Sequence, residues 1–192
     1  MTMQPYLFLT GPAGVGKSTL IREVLGPALA GCGGFMTGLA ADAPAIELRP
    51  AAAFAGVEGL ESGRFLDISV WPPARDNEVF RSLGVRLLRE AVWYPCAVLD
   101  EIGGYELLIP QFRQALEELL NTPLPLIGAL KTPSEALLLG QAFGLGERYG
   151  GYVERLHAAL RADPETLVLE MRGAEDDSAR RAVADWRAQY VL

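Results

Sequence analysis

Short apolar runs alternate along this chain with longer segments in which apolar residues recur every three or four positions. The short runs predict buried strands, at residues 6–10, 33–38, 45–49, 64–71, 96–99, 124–130 and 166–171. The longer segments predict amphipathic helices, at residues 17–29, 76–93, 109–120, 133–143, 152–161 and 174–190. Because strands and helices alternate, we predict an α/β fold of three layers, in which helices cover both faces of a mainly parallel sheet.

One stretch breaks this alternation. Residues 39–75 contain two β segments, at 45–49 and 64–71, separated by Gly and Pro. Such a stretch is typical of a β-hairpin, and we predict that 39–75 forms a hairpin insertion. The chain shows no linker, internal repeat or low-complexity segment, so residues 1–192 are predicted to form a single domain.

Charge and composition narrow the function classes. The formal net charge is -7, with an isoelectric point near 4.8. We therefore do not expect the protein to bind nucleic acid through a broad positively charged surface. The apolar runs of the chain are too short to span a bilayer, and residues 1–11 lack the features of a signal peptide. Cys32 and Cys96 lie in apolar stretches and are predicted to be buried free thiols. We therefore expect a cytoplasmic protein without nucleic-acid or membrane partners, and nothing in the sequence indicates a protein partner.

The strongest motif is LTGPAGVGKSTLIREVL at residues 9–25, which fits Gly11-x-x-x-x-Gly16-Lys17-Ser18 between a predicted strand and a predicted helix. This is the pattern of a phosphate-binding loop, in which glycines let backbone N–H groups surround a phosphate at a helix N-terminus. Lys17 is predicted to reach the β- and γ-phosphates, and Ser18 to offer its hydroxyl to Mg²⁺. The alternative is a glycine-rich turn with a surface lysine. The predicted nucleotide-binding residues of the loop are Gly11, Pro12, Ala13, Gly14, Val15, Gly16, Lys17, Ser18 and Thr19.

A second motif, CAVLDEIGGYELL at residues 96–108, places Asp100 and Glu101 at the end of an apolar strand. Ligands of open α/β sheets bind at the carboxyl ends of strands. Asp100 is predicted to hold the coordination shell of Mg²⁺, and Glu101 to orient and deprotonate the water that attacks the γ-phosphate. The alternative is a pair of solvated acids at a strand end.

Four stretches resemble the small P-loop nucleoside-triphosphatases related to the cancer-related nucleoside-triphosphatase: GPAGVGKSTL, GGFMTG, GRFLDIS and LDEIGGYELLIPQF, within residues 6–112. The resemblance implies a P-loop NTPase fold and hydrolysis of nucleoside triphosphates. The arginine-rich stretch that usually follows G-F-x-T is reduced here to Arg49, and Gly104 replaces the lysine after D-E-I-G. The terminal strand of the family ends in Asn-Arg, and here TLVLEMR leaves Arg172 as a predicted nucleotide-binding residue.

Several other side chains are weaker candidates. Lys131 follows the strand 124–130 and could reach the γ-phosphate, although a surface lysine is the simpler interpretation. Arg148 or Arg155 could act as an internal arginine finger. Glu106 matches the second acid of the family, and a structural role for it is at least as well supported as a catalytic one. We interpret the single histidine, His157, as structural, and the three tryptophans as core residues.

Three functions are consistent with these motifs. The first is a Mg²⁺-dependent hydrolase of ATP- or GTP-type nucleotides, supported by an acid suited to activating water. The second is a small-molecule kinase for nucleosides or sugars, in which residues 39–75 help to form an acceptor site. The third is a nucleotide-gated accessory module with slow turnover. The chain contains no Asn-Lys-x-Asp guanine motif and no Leu-Ser-Gly-Gly-Gln signature, which disfavours a GTPase switch and a transporter subunit.

Overall fold

A single mixed sheet of eight strands forms the centre of the protein, in the order β5-β4-β3-β2-β6-β7-β1-β8. The structure is a computed structural model, and it describes residues 4–191. The strands are β1 Tyr6–Thr10, β2 Gly33–Leu39, β3 Ala45–Pro50, β4 Gly63–Asp67, β5 Ala74–Arg75, β6 Ala97–Ile102, β7 Leu126–Leu130 and β8 Thr166–Glu170. The helices are α1 Lys17–Leu25, α2 Asn77–Val79, α3 Val85–Glu90, α4 Pro110–Leu120, α5 Pro133–Phe143, α6 Glu147–Ala162 and α7 Asp177–Tyr190.

Five strands run parallel, since β2 pairs with β6, β6 with β7, β7 with β1, and β1 with β8. Their residues are largely apolar because helices cover both faces of the sheet. One buried cluster joins the sheet to α3, α4 and α6, and a second joins the opposite face to α1 and α7. This arrangement confirms the predicted three-layer α/β/α fold.

The insertion at 39–75 extends the same sheet rather than forming a separate layer. β3 pairs antiparallel with β2, β4 with β3, and β5 with β4. A register shift between Ile46 and Glu47 marks an irregularity in the β3–β4 pairing. The predicted hairpin is therefore present, with a short third strand at the sheet edge.

Most predicted elements are found within a few residues of their predicted bounds, and four differ in type or length. The strand predicted at 64–71 corresponds to β4, which ends at Asp67. The helix predicted at 76–93 comprises α2, a π-helical turn Phe80–Gly84, α3 and the 3₁₀ turn Ala91–Trp93. The helix predicted at 17–29 ends at Leu25 and continues as the 3₁₀ segment Gly26–Gly31. α6 begins at Glu147, five residues before the apolar pattern predicted, because Tyr149 packs inward from that first turn.

The buried positions largely match the apolar pattern. Cys32 and Cys96 are buried free thiols, as predicted, with their Sγ atoms 3.5 Å apart. The prediction that the tryptophans are core residues is confirmed for Trp186, which is fully buried. It is wrong for Trp71 and Trp93, which are 81% and 78% exposed because they lie in the β4–β5 loop and in the turn after α3. None of the helices in the described part of the chain is long and apolar enough for a membrane span.

Candidate active site

The predicted functional residues converge at one edge of the sheet. The glycine-rich loop follows β1, and Lys131 follows β7. Asp100 and Glu101 lie near the end of β6, just before its last residue Ile102. Since these three strands are parallel neighbours, their carboxyl ends meet at the same edge. This is the edge at which open α/β sheets bind their ligands.

The loop at 11–16 depends on glycines with positive φ. Gly11, Gly14 and Gly16 have φ values of 135°, 75° and 100°. A Cβ on Gly11 would also lie 2.5 Å from the carbonyl oxygen of Met171, so the close approach of the loop to the end of β8 requires glycine. The sequence therefore produces a tight loop that closes directly onto α1.

Among residues 4–191, no side chain caps the N-terminus of α1, whose first turn also contains no acid. In contrast, α5 begins with a capping box of Thr132 and Glu135, and α7 begins with Asp176 as its N-cap. The first N–H groups of a helix carry partial positive charge and require an acceptor. At α1 they are available to an anion.

Lys17 is buried at the base of this loop, where only 5% of the residue is exposed. Its Nζ donates hydrogen bonds to the carbonyl oxygens of Gly11, at 2.7 Å, and Pro12, at 3.0 Å. Burial lowers the pKa of Lys17, and the nearby carboxylate of Glu135 partly opposes this effect. The ammonium group therefore lies inside the loop, beside the uncapped helix N-terminus.

Ser18 and Asp100 join the two sequence motifs directly. The Oγ of Ser18 donates a hydrogen bond of 2.5 Å to Oδ1 of Asp100 across 82 residues of sequence. Asp100 is 1% exposed, and burial raises its pKa to about 6 although the Ser18 hydroxyl favours the carboxylate. Oδ2 accepts a weaker hydrogen bond from the N–H of Thr37, at 3.3 Å.

Glu101 has an unusual backbone conformation. It is the one non-glycine residue with positive φ in the described chain, at 57°. The pairing of β6 with β7 shifts its register between Leu99 and Ile102, around this residue. Non-glycine residues in the left-handed region carry strain, and such strain clusters at functional sites.

The exposed carboxylate of Glu101 pairs with Lys131. Their Oε2 and Nζ atoms are 3.0 Å apart, and the side chains are 43% and 21% exposed. Burial lowers the pKa of Lys131, but the carboxylates of Glu101, Glu106 and Glu135 outweigh this effect and raise it overall. The structure thus brings Lys131 into the site, rather than leaving it as a surface lysine at a strand end.

Glu106 supports the loop that follows Glu101. Its Oε1 accepts hydrogen bonds from the N–H groups of Gly103, at 2.8 Å, and Gly104, at 2.7 Å. The residue is 4% exposed, and burial raises its pKa. The hydroxyl of Tyr149 donates to the carbonyl oxygen of Gly103 at 2.9 Å. These contacts favour the structural role of Glu106.

His157 also has a structural contact, as the sequence indicated. Its Nε2 lies 2.6 Å from the carbonyl oxygen of Lys131, in a buried position on α6. This contact fixes the backbone of Lys131 at the end of β7. The imidazole ring therefore supports the site without facing it.

The arginine candidates lie in different places. Arg172 is exposed after β8, and its backbone N–H donates to Asp176. Arg148 is exposed in the first turn of α6.

The third arginine candidate, Arg155, lies at a different place on α6. Its guanidinium is 4.7 Å from the ring centroid of Tyr152 and lines a groove between α4 and α6. That groove includes Tyr6 and Glu165, at the amino ends of the strands. Arg155 is thus placed away from the glycine-rich loop, and the roles of Arg148 and Arg172 stay predictions.

Sequence reasoning missed three features of this site. Thr37, within the GGFMTG stretch, contacts Asp100. Glu135 lies 4.0 Å from Lys17, and its signal was the T-x-x-E capping box at 132–135, which predicts only local structure. The third feature is a cavity beside Asp100 and Glu101, lined by aromatic residues from distant elements. No local pattern identifies such a cavity.

Comparisons with known proteins give a family match for part of the chain and a shared fold for nearly all of it. Residues 67–142 match the family model described as NTPase, a segment that includes the strand with Asp100 and Glu101. No curated protein matches the chain with statistical significance.

Two solved structures share the fold. THEP1 from the hyperthermophile Aquifex aeolicus is 18% identical with a TM-score of 0.61, over 93% of this chain and 96% of that chain. A human cancer-related nucleoside triphosphatase is 23% identical with a TM-score of 0.59, over 94% of each chain. The family match over part of the chain and the shared fold over nearly all of it confirm the resemblance of this protein to the small P-loop nucleoside-triphosphatases.

Proposed function

We propose that this protein is a Mg²⁺-dependent nucleoside triphosphatase that hydrolyses ATP- or GTP-type nucleotides to the diphosphate and phosphate. The observation that carries the proposal is the 2.5 Å hydrogen bond between Ser18 and Asp100, which joins the glycine-rich loop to the acidic strand end. The match of residues 67–142 to a family described as NTPase supports the same activity.

The residues at this junction fit a magnesium ion. Mg²⁺ is usually bound in nucleotide sites by one or two protein oxygen ligands together with phosphate oxygens and water. Ser18 offers a hydroxyl, and Asp100 offers a carboxylate whose burial makes an unpaired negative charge costly. When bound, Mg²⁺ would neutralise negative charge on the β- and γ-phosphate oxygens.

Groups of the protein itself would bind the phosphates and activate the attacking water. The N–H groups of residues 13–16 and of the first turn of α1 would bind the phosphates, since no side chain among the described residues caps that turn. Lys17 would exchange its bonds to Gly11 and Pro12 for bonds to phosphate oxygens. Glu101, whose side chain is 43% exposed, would orient a water molecule and accept its proton on a carboxylate oxygen.

The variant Glu101→Gln tests this assignment. It removes the base and keeps the size of the side chain, so we expect nucleotide binding to persist while phosphate release is nearly abolished. Glu90→Gln is a suitable control, because Glu90 lies on α3 and pairs with Arg86 at the surface. Phosphate release by Glu101→Gln at the rate of the control would exclude Glu101 as the base. Failure of the wild-type protein to release phosphate from any common nucleoside triphosphate would exclude the activity itself.

A further inference from the structure

A cavity of about 180 Å³ lies next to the acids of the candidate active site. It is bounded by β2, β3, β4, the π-helical turn, the loop after β6, and α5 with the turn that follows it. Five aromatic side chains contribute to its lining, from Phe35, Phe65, Phe80, Tyr105 and Phe143. Asp100 and Glu101 belong to the same lining. The cavity therefore meets the site at the residues proposed to act on the γ-phosphate.

The aromatic wall of this cavity is held in place by its own contacts. The ring of Phe80 lies 4.8 Å from that of Phe65 and 5.6 Å from that of Tyr105, in an edge-to-face arrangement with the latter. The hydroxyl of Tyr105 donates a hydrogen bond of 2.7 Å to the carbonyl oxygen of Phe65. Because this hydroxyl is already paired, the wall presents ring surface rather than hydrogen-bonding groups. The wall is thus preformed and apolar.

Polar groups of the cavity are confined to one side. Asp100, Glu101, Glu106 and Lys131 come from the ends of β6 and β7 and the loop after β6, and Thr37 faces Asp100 from β2. The remaining lining consists of the aromatic residues, aliphatic side chains and Gly104. A ligand that matches this distribution has an apolar ring and a polar group at one end. A free sugar matches poorly, since its many hydroxyls would lose hydrogen bonds to water against apolar walls.

Volume limits the size of this ligand. An apolar cavity of about 150 Å³ is sufficient to hold benzene. The present cavity, at about 180 Å³, accommodates one six-membered ring with a short substituent. A fused-ring nucleoside is too large to be enclosed in it.

We propose that this cavity binds a second substrate, a small organic alcohol whose ring fills the aromatic part and whose hydroxyl faces Glu101. The proposal rests on the proposed function, because it takes the nucleotide held at residues 11–18 as the phosphoryl donor. The hydroxyl oxygen forms a bond to the γ-phosphorus, and the bond from that phosphorus to the β–γ bridging oxygen breaks. The nucleoside diphosphate leaves, and Glu101 accepts the hydroxyl proton. Hydrolysis is then the reaction that occurs when water takes the place of the alcohol.

Benzyl alcohol and toluene are suitable probes, since both carry one ring and only the first carries a hydroxyl. Binding is measured without nucleotide, from NMR shifts of the methyl groups of Ile46, Leu139 and Leu145, which line the cavity. Phosphoryl transfer is measured with ATP and Mg²⁺ by phosphorus NMR. We expect both probes to shift these methyl signals, and benzyl alcohol alone to yield a phosphate ester, in an amount equal to the additional ADP.

A pair of variants on α5 provides a matched comparison. Leu139→Trp places a larger side chain in the cavity, whereas Leu138 is 66% exposed on the same helix, so Leu138→Trp leaves the cavity open. We expect the rate of benzyl phosphate formation by Leu139→Trp to be lower than that of Leu138→Trp by about tenfold or more. Even one added methylene group in an apolar pocket can change a rate by about tenfold, and tryptophan adds more than that.

The outcomes separate this inference from the proposed function. Benzyl phosphate formed by wild type and Leu138→Trp, and reduced in Leu139→Trp, supports the acceptor site. Unshifted methyl signals with both probes overturn the site. Shifted signals with free phosphate as the only product overturn the acceptor role. The methyl shifts need no nucleotide, so failure of ATP hydrolysis would be recognised independently of the cavity.

Discussion

Glu101 and Lys131 form an ion pair between the ends of neighbouring strands, with Oε2 and Nζ 3.0 Å apart. The proposed base is thereby held by the residue that could also reach the γ-phosphate. A triphosphate would compete with Glu101 for the lysine and free the carboxylate to bind water. The pair gives Lys131 a role that can be tested separately from nucleotide binding.

The variant Lys131→Met removes the ammonium group and keeps much of the aliphatic chain. We expect a rate of phosphate release lower by about 10²-fold, the size seen when one charge-stabilising donor is lost from a catalytic site. Nucleotide affinity should change little, because Lys17 and the loop remain. Steady-state phosphate release and equilibrium nucleotide binding check both statements. Arg155→Met, at the groove between α4 and α6, should behave as wild type. Equal rates for the two variants would contradict a role for Lys131 in turnover.

Backbone strain at Glu101 predicts a difference between two variants that both lack the carboxylate. With φ at 57°, glycine suits this position better than alanine. We expect Glu101→Gly to be the more stable variant. Its free energy of unfolding, measured by urea denaturation, should exceed that of Glu101→Ala by about 1 kcal/mol. Neither variant should hydrolyse nucleotide at the wild-type rate. An alanine variant as stable as the glycine variant would show that the strain is relieved in another way.

Two buried N–H groups depend on Glu106. Glu106→Ala leaves those of Gly103 and Gly104 without their acceptor, which we expect to lower the free energy of unfolding by about 2 kcal/mol or more. Glu106→Gln keeps an acceptor oxygen and should remain closer to wild type. Thermal unfolding of both variants provides the measurement. If the two variants were equally destabilised, the charge rather than the acceptor would be the important property.

Removal of the Ser18 hydroxyl should change the dependence on magnesium. Ser18→Ala loses the group that contacts Asp100, so the Mg²⁺ concentration for half-maximal phosphate release should rise about tenfold, as for loss of a supporting metal contact. Ser82→Ala is a matched control, because its hydroxyl bonds to the Glu78 carbonyl on an exposed helical surface. A magnesium titration of the two variants that gave the same midpoint would refute the role of Ser18.

The cap of α7 predicts a dependence of stability on pH. The Ser178 hydroxyl and the backbone N–H groups of Ala179 and Arg172 lower the pKa of Asp176 to about 2. A carboxylate with a lowered pKa stabilises the fold above its ordinary pKa of about 4, and this stabilisation is lost as the pH falls toward 2. The melting temperature of Asp176→Ala should therefore be below that of wild type at pH 6, and the difference should shrink between pH 4 and 2. A difference independent of pH would argue against the carboxylate as its source.

Sequence and structure agree best where the local conformation depends on consecutive residues. The conformation of loop 11–18 could be predicted because its glycines, lysine and serine are consecutive and lie between a strand and a helix. Asp100 and Glu101 could be predicted because they end an apolar strand, and parallel strands end at one edge. Lys131 was harder to interpret, since a lysine after a strand is usually solvated, and only its contact with Glu101 shows where it lies.

By itself, the sequence determined the strand–loop–helix that forms the phosphate-binding pattern, the alternation that produces the layered fold, and the hairpin at 39–75. Only the tertiary structure decided that Ser18 meets Asp100, that Lys131 pairs with Glu101, and that aromatic residues from five elements enclose a cavity beside them. The reason is physical: hydrophobic periodicity and turn chemistry act over a few neighbouring residues. Pairing across the sheet depends on strand order and register, which every other part of the chain helps to fix.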